Sequence, residues 1–287
     1  MASGADLIVT PAWVEAHLDT VRVIDCSVRF EPRPVGSSII HSCRDAYLAA
    51  HVPGAAYLHM VDDLSDPQGA YAFTLAPQAQ IDRVLSAIGV TPDDTIVVYG
   101  NPEGTPVAVT RAWWVLTVSG CRDVRIMDGG LARWTAEGRS VSMGEERFTP
   151  SVFKGQRDET AVARKAEVAE AIRGDALLIN ALSPQQHAGT GGAHYGRPGH
   201  IPGSTNIPAQ DLMDPATGAF APVEEIRAAF ADLSPDRAAI TYCGGGIAAA
   251  ATLFAMKVSG HDRVTLYDNS LLEWSTEPDL PMETGEG

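Results

Sequence analysis

The chain has 287 residues, room for one large domain or two ordinary ones. Hydrophobic residues make up 45% and aromatic ones 7%, which excludes a disordered or low-complexity chain. Lys plus Arg number 21 against 36 Asp plus Glu, so the formal charge is −15 and the surface repels nucleic-acid phosphates and anionic membranes. Neither is expected as a partner.

The first residues carry no basic region followed by an apolar core, so no export signal is read there. The longest apolar stretch, Ala248 to Val258, is broken by Lys257 and is far shorter than the roughly 20 residues that span a bilayer. A cytoplasmic protein is expected.

In chain order, blocks of sequence then begin to repeat. Ile24-Asp25 returns as Ile179-Asn180, and His51-Val-Pro-Gly-Ala55 returns as His200-Ile-Pro-Gly-Ser204. Ile96-Val-Val-Tyr99 corresponds to Ala239-Ile-Thr-Tyr242, and Ser119-Gly120 to Ser259-Gly260. Val124–Asp128 and Leu131-x-x-Trp134 match Val264–Asp268 and Leu271-x-x-Trp274. These ordered blocks define a tandem duplication. The expected units are residues 6–141 and 165–287, joined by a polar linker over 142–164 that lacks a sustained apolar period.

Within each unit, short β-branched runs alternate with helical patterns. Val107–Val118, Lys165–Arg173, Glu224–Asp232 and Ala248–Ser259 read as helices; Ala176–Ile179, Ala239–Tyr242 and Arg263–Tyr267 read as strands. Gly120 and Gly260 stand where helices stop. The fold class is α/β, each unit a small parallel sheet flanked by helices, with its ligand site at the carboxyl ends of the strands.

The most informative stretch runs from Ala239 to Ala249. A buried strand ends at Cys243, Gly244, Gly245 and Gly246 follow, and an alanine-rich helix begins at Ile247 and Ala248. Three successive glycines let backbone N–H groups curl into a concave nest, and the helix adds the positive end of its dipole. A sulfur at the centre of that cradle is favoured as a thiolate, the species that nucleophilic sulfur chemistry needs. Without this context a lone cysteine would read as a small core residue. Cys26, Cys43 and Cys121 lack it, and no CxxC pair suggests a disulfide framework or a zinc site.

The duplicate is an internal control. Gly100 stands at the position of Cys243, in a loop three residues longer, so only the second unit carries the nucleophile. Phosphatase-like thiolate loops place an arginine to grip the oxyanion where this chain has Ala249, which discards that chemistry.

Together these residues resemble the two-domain rhodanese family, the thiosulfate and 3-mercaptopyruvate sulfurtransferases. Tyr47-x-x-x-His51-Val-Pro-Gly-Ala55-x-x-Leu58 is similar to the family's N-terminal signature. Val264-x-x-Tyr267-Asp268-Asn269-Ser270-Leu271-x-Glu273-Trp274 resembles its C-terminal one, with Asn269 in place of glycine and Leu271 in place of tryptophan. Arg111-Ala-Trp-Trp114 and Asp128-Gly-Gly130-x-x-x-Trp134 fit the inactive domain.

The resemblance implies that Cys243 accepts a sulfane sulfur as a persulfide and passes it to a thiophilic acceptor, without metal or organic cofactor. The expected partners are a small sulfur donor and a thiol, cyanide or thioredoxin-like acceptor. The competing expectation is a non-catalytic rhodanese-like module that binds or regulates a partner.

Departures from the family concern the substrate. No basic side chain lies in Gly244–Ala248. Gly245 and Ala248 replace the serine and threonine of the mercaptopyruvate branch, and Leu182 replaces an arginine the family uses on anionic substrates. Arg197, in His194-Tyr195-Gly196-Arg197, either supplies a replacement cation or is a solvated loop residue. His194 and Tyr195 are further candidates beside the site, and His59 lies near an aspartate position of the mercaptopyruvate enzymes. His51 and His200 are expected to brace their Pro-Gly turns, Arg111 to be a buried structural ion, and Trp134 and Trp274 to be core aromatics.

Overall fold

The computed structural model describes residues 4–214 and 217–285. The first half runs β1 (Ile8–Val9), α1 (Pro11–His17), β2 (Val21–Asp25), β3 (Val28–Glu31), β4 (Ile39–Ser42), α2 (Arg44–Ala49), β5 (Ala56–Tyr57), α3 (Gln78–Ala87), β6 (Thr95–Tyr99), α4 (Ala108–Val118), β7 (Asp123–Met127) and α5 (Gly130–Ala136). The second runs β8 (Val162–Ala163), α6 (Lys165–Ala171), β9 (Leu177–Asn180), α7 (Pro184–Ala188), β10 (Ser204–Asn206), α8 (Val223–Ala229), β11 (Ala239–Tyr242), α9 (Ile247–Ser259), β12 (Val264–Tyr267) and α10 (Ser270–Trp274).

Each half forms a parallel five-stranded sheet. The orders are β1-β7-β6-β2-β5 and, read from its other edge, β8-β12-β11-β9-β10. These are one topology used twice. The central strands β6 and β11 are buried on both faces, which is why they read as unbroken apolar runs rather than alternating ones.

The duplication extends to single hydrogen bonds. Leu131 N–H donates to the Gly100 carbonyl (2.9 Å) as Leu271 N–H donates to the Cys243 carbonyl (3.1 Å). The Tyr99 hydroxyl accepts from Val52 N–H, and the Tyr242 hydroxyl accepts from Ile201 N–H. Both histidine turns are braced from within. His51 Nδ1 donates to the Tyr47 carbonyl and stacks on the Tyr47 ring; His200 Nδ1 donates to the His187 carbonyl and stacks on His187.

Element ends differ from expectation by a few residues. The helix expected over Glu224–Asp232 closes at Ala229, where Phe230 N–H turns back to the Arg227 carbonyl. The stretch 142–164 is tied down more than its polarity suggests. Phe153 is buried in the core, Ser142 exchanges backbone hydrogen bonds with His51, and β8 pairs Val162 with Leu266 at the edge of the second sheet. Two strand residues are too few to show a period.

The halves meet along α4 and α9, where Trp113 and Phe254 pack edge to face with centroids 4.8 Å apart. Reciprocal hydrogen bonds cross the junction. Leu75 N–H of the first half donates to Asp268 of the second (2.7 Å), and Phe220 N–H of the second donates to Asp128 of the first (3.0 Å).

One difference between the copies has a thermodynamic consequence. Asp25 ends β2 and is fully buried, with Oδ1 accepting from the amide and hydroxyl of Ser27; Asn180 is its counterpart. Burial pushes the Asp25 carboxyl up to about 6, only partly offset by those hydrogen bonds. The native state therefore holds more protons than the unfolded chain between pH about 4 and 6, and this group's contribution to stability falls as pH rises across that window. Asp25→Asn is expected to relieve the cost of ionisation, of order 2–3 kcal/mol above pH 6. Thermal unfolding at several pH values checks this: the stability gap between variant and wild type should open between pH 4 and 6 and then stay constant. A gap equal at every pH refutes it.

Candidate active site

Cys243 sits just past the carboxyl end of β11, the middle strand of the second sheet, and is 3% exposed. Its backbone is fixed on both sides: its carbonyl accepts from Leu271 N–H, and its own N–H donates to Ser270 Oγ (3.1 Å). Ser270 also donates to the Tyr267 carbonyl (2.8 Å) and adopts φ +49°, left-handed backbone that a side chain rarely takes. The first half has Gly130 at this position, with φ +51°. The second half accepts strain of roughly 1–3 kcal/mol there and gains a hydroxyl that orients the Cys243 peptide. Within its signature Ser270 carries no catalytic mark of its own; the glycine in its duplicate is the signal that the position is special.

The loop glycines have separate reasons. A Cβ on Gly244 would lie 1.9 Å from Cζ of Tyr195, so the phenol ring rests directly on that backbone. One on Gly246, at φ +79°, would lie 2.6 Å from the Asp268 carbonyl and 2.9 Å from Arg111 Nη1. Among the described residues, the amides of Gly244, Gly245 and Gly246 donate to no protein acceptor. They stand free at the start of the 13-residue α9. An anionic sulfur beside them meets N–H dipoles and the positive end of a helix.

The other thiols are set apart by their surroundings. Burial pushes Cys43 up to about 11 and Cys121 up to about 12, and pushes Cys26 well above the ordinary thiol range; nearby carboxylates add to each shift.

Above Cys243 lies a cleft of about 250 Å3. The second half lines it with Leu182, Ser183, Gln186, Tyr195 and Ala248, and the first half contributes Phe30, Ser37, Ser38, Phe73 and Val107. The β3–β4 hairpin thus forms part of the wall, latched to the second half where His194 N–H donates to the Pro34 carbonyl and Gly36 N–H to the His194 carbonyl. Phe73, at φ +68°, is held by Arg111 Nη2, which donates to its carbonyl. None of these contributions from the first half is visible in local sequence.

Of the residues singled out in sequence, the cleft brings together Cys243, Gly245, Ile247, Ala248, Leu182 and Tyr195, with Gly244 and Gly246 in the same loop. Leu182 is presented by an Asx-type turn in which its N–H donates to Asn180 Oδ1 (2.9 Å). Burial pushes the Tyr195 hydroxyl up to about 12, so it stays protonated beside Cys243. Arg197 does not line the cleft. Its Nε donates to the Ser275 carbonyl (3.0 Å) and its Nη2 to the Glu277 carbonyl (2.7 Å), binding it to the end of α10 rather than to an anion. His194 and His59 lie outside it too: the His194 ring donates to the Gly196 carbonyl, and His59 pairs with Asp62.

A doubled α/β unit whose second half sets a thiol at a strand-to-helix turn has the architecture of a sulfur-handling enzyme. The rhodanese-like domain matches residues 10–137 and again residues 165–277. The chain belongs to the rhodanese family and is a sulfurtransferase that moves sulfur between a small donor and an acceptor. It is 30% identical over 293 residues to the thiosulfate sulfurtransferase of Corynebacterium glutamicum, covering 97% of this chain and 91% of that protein. The 3-mercaptopyruvate sulfurtransferase of Escherichia coli is 28% identical over 281 residues, 94% of this chain and 95% of the other. The crystal structure of SseA from Escherichia coli, a 3-mercaptopyruvate sulfotransferase with the rhodanese fold, superposes with a TM-score of 0.79 at 27% identity, covering 92% of this chain and 98% of that one. Among the described residues no helix is long and apolar enough to cross a membrane.

Proposed function

We propose that Cys243 is the sulfur carrier and that Gly244–Ala248 cradle the sulfur it holds. Its thiolate attacks the transferable sulfur of a donor, the outer sulfur of thiosulfate or the thiol sulfur of 3-mercaptopyruvate. An S–S or C–S bond of the donor breaks, and the leaving group departs with the electron pair as sulfite from thiosulfate or as pyruvate, after protonation, from 3-mercaptopyruvate. The persulfide then gives its outer sulfur to an acceptor: cyanide leaves as thiocyanate, and a thiol leaves as its own persulfide. The observation that carries this reading is the set of free amides at Gly244, Gly245 and Gly246 next to Cys243, which borders the cleft. In this reading residues 165–287 catalyse, and residues 6–141, with Gly100 in place of the nucleophile, serve as an inert wall.

The donor follows from charge. Thiosulfate is a dianion, and the loop offers it no cation. With cyanide as acceptor, turnover is expected to be faster with 3-mercaptopyruvate than with thiosulfate, and mass spectrometry should find one added sulfur on Cys243 after either donor. The opposite order overturns the charge argument. No sulfur on Cys243 with either donor counts against the persulfide reading itself.

A further inference from the structure

The wall of the cleft is neutral: among the described residues no lysine, arginine, histidine, aspartate or glutamate lines it. The two arginines nearest in sequence logic are committed elsewhere. Arg197 is bound to carbonyls at the end of α10, and Arg111 lies fully buried against Asp268. The polar groups that do line the cleft are partly engaged with one another. Ser183 Oγ and Gln186 Oε1 form the capping box of α7, and Gln186 Nε2 donates to the Ala193 carbonyl.

What remains open to a ligand is mainly apolar surface from Phe30, Phe73, Val107, Leu182 and Leu272, with the uncharged polar groups of Ser37, Ser38 and Gln210 at its edge and the loop amides confined to the sulfur position. A volume of about 250 Å3 exceeds the roughly 150 Å3 in which a benzene ring is accommodated. Each negative charge entering here loses water and finds neutral donors but no counter-charge, a penalty that 3-mercaptopyruvate bears once, thiosulfate twice and an uncharged thiol substituent not at all, and the chain's charge of −15 adds repulsion at longer range. An apolar body gains from the same walls.

We infer that the acceptor that discharges Cys243 is a thiol whose organic part is uncharged and apolar, of about the size of an arylmethyl group, and that Leu182 is the residue that sets this preference. The inference rests on the persulfide reading of Cys243. The thiolate R–S− attacks the outer sulfur of Cys243–S–SH. The bond between that sulfur and Cys243 Sγ breaks, its electron pair stays on Sγ to restore the thiolate, and the product R–S–SH leaves with the proton already carried by the outer sulfur.

The test uses the whole protein, loaded with sodium tetrasulfide, freed of excess reagent and mixed with benzyl mercaptan or 4-(mercaptomethyl)benzoate. These thiols differ by one remote carboxylate, so their sulfurs are closely matched. Loss of the added sulfur from Cys243 is followed by mass spectrometry. Benzyl mercaptan is expected to discharge it at least about tenfold faster, and Leu182→Arg is expected to reduce or invert that ratio. Equal rates, or a faster charged thiol, in the wild-type protein overturn the inference without any variant. An unchanged ratio in folded Leu182→Arg removes Leu182 from the deciding role. Failure of Cys243 to load at all overturns the persulfide reading, an outcome distinct from a loaded protein that ignores the carboxylate.

Discussion

Cys243→Ser is expected to abolish sulfur transfer, lowering turnover with any donor by at least about 10^3-fold. Serine fits the space: the residue is nearly fully buried, and its backbone partners, Ser270 Oγ and Leu271 N–H, involve only the main chain of residue 243. The fold should therefore survive, and the unfolding transition should stay close to that of the wild type. What is lost is the thiophilic atom. A hydroxyl oxygen beside the same amides neither attacks sulfane sulfur nor holds it, so the added mass of about 32 Da should vanish from the intact protein. The three remaining cysteines are a stringent control in the same molecule. Burial and nearby carboxylates hold Cys26, Cys43 and Cys121 as protonated thiols. Persulfide on any of them, or retained turnover, would falsify the assignment.

Cys243 is legible in sequence because its environment is local. A strand, three glycines and a helix within eleven residues specify the turn, the nest and the dipole without reference to the rest of the chain. The duplication is equally legible, since hydrogen bonds shared by the halves, such as those of Tyr99 and Tyr242 to the histidine turns, keep the same side chain at the corresponding place in each unit. The wall of the cleft is another matter. Phe30, Ser37 and Phe73 share the cleft with Cys243 only because the two units pack together, and no period within either unit encodes that placement.

Arg197 shows the converse limit. Its place in the chain, just before a histidine turn, suits an anion ligand, but the carbonyls left unpaired at the end of α10 are nearer partners. Ser270 lies between these cases. The glycine in its duplicate marks a left-handed position, whereas the hydroxyl's hold on Cys243 becomes visible only in three dimensions.

Removing the charge at Arg111 is expected to destabilise the protein by about 3–5 kcal/mol, the usual cost of leaving one member of a buried ion pair alone. Arg111 comes from α4 of the first half and has no exposed surface. Its Nη1 lies 2.7 Å from Asp268 Oδ1, its Nη2 donates to the Phe73 carbonyl, and its guanidinium sits 4.6 Å from the Trp114 ring centroid. Asp268 in turn accepts from Leu75 N–H and presses its carbonyl against Gly246. One side chain thus joins both halves and supports the underside of the sulfur nest. The counterpart pair in the first half, Asp128 with Arg133, lies within one unit and is partly exposed, so it contributes far less. Arg111→Met keeps the length and apolar stem while deleting the charge. Its melting temperature is expected to fall by roughly 6–20 °C for a chain of this size. Asp268→Asn should be costly alone, yet the double variant should cost less than the two single effects added, because no unpaired charge remains. A melting point within 2 °C of wild type for Arg111→Met, or strict additivity in the cycle, shows that the pair is not the unit that fixes the nest. If the coupling holds, persulfide loading should fall together with stability in each single variant, since the support lost is the one that sets Gly246 and Phe73 beside Cys243.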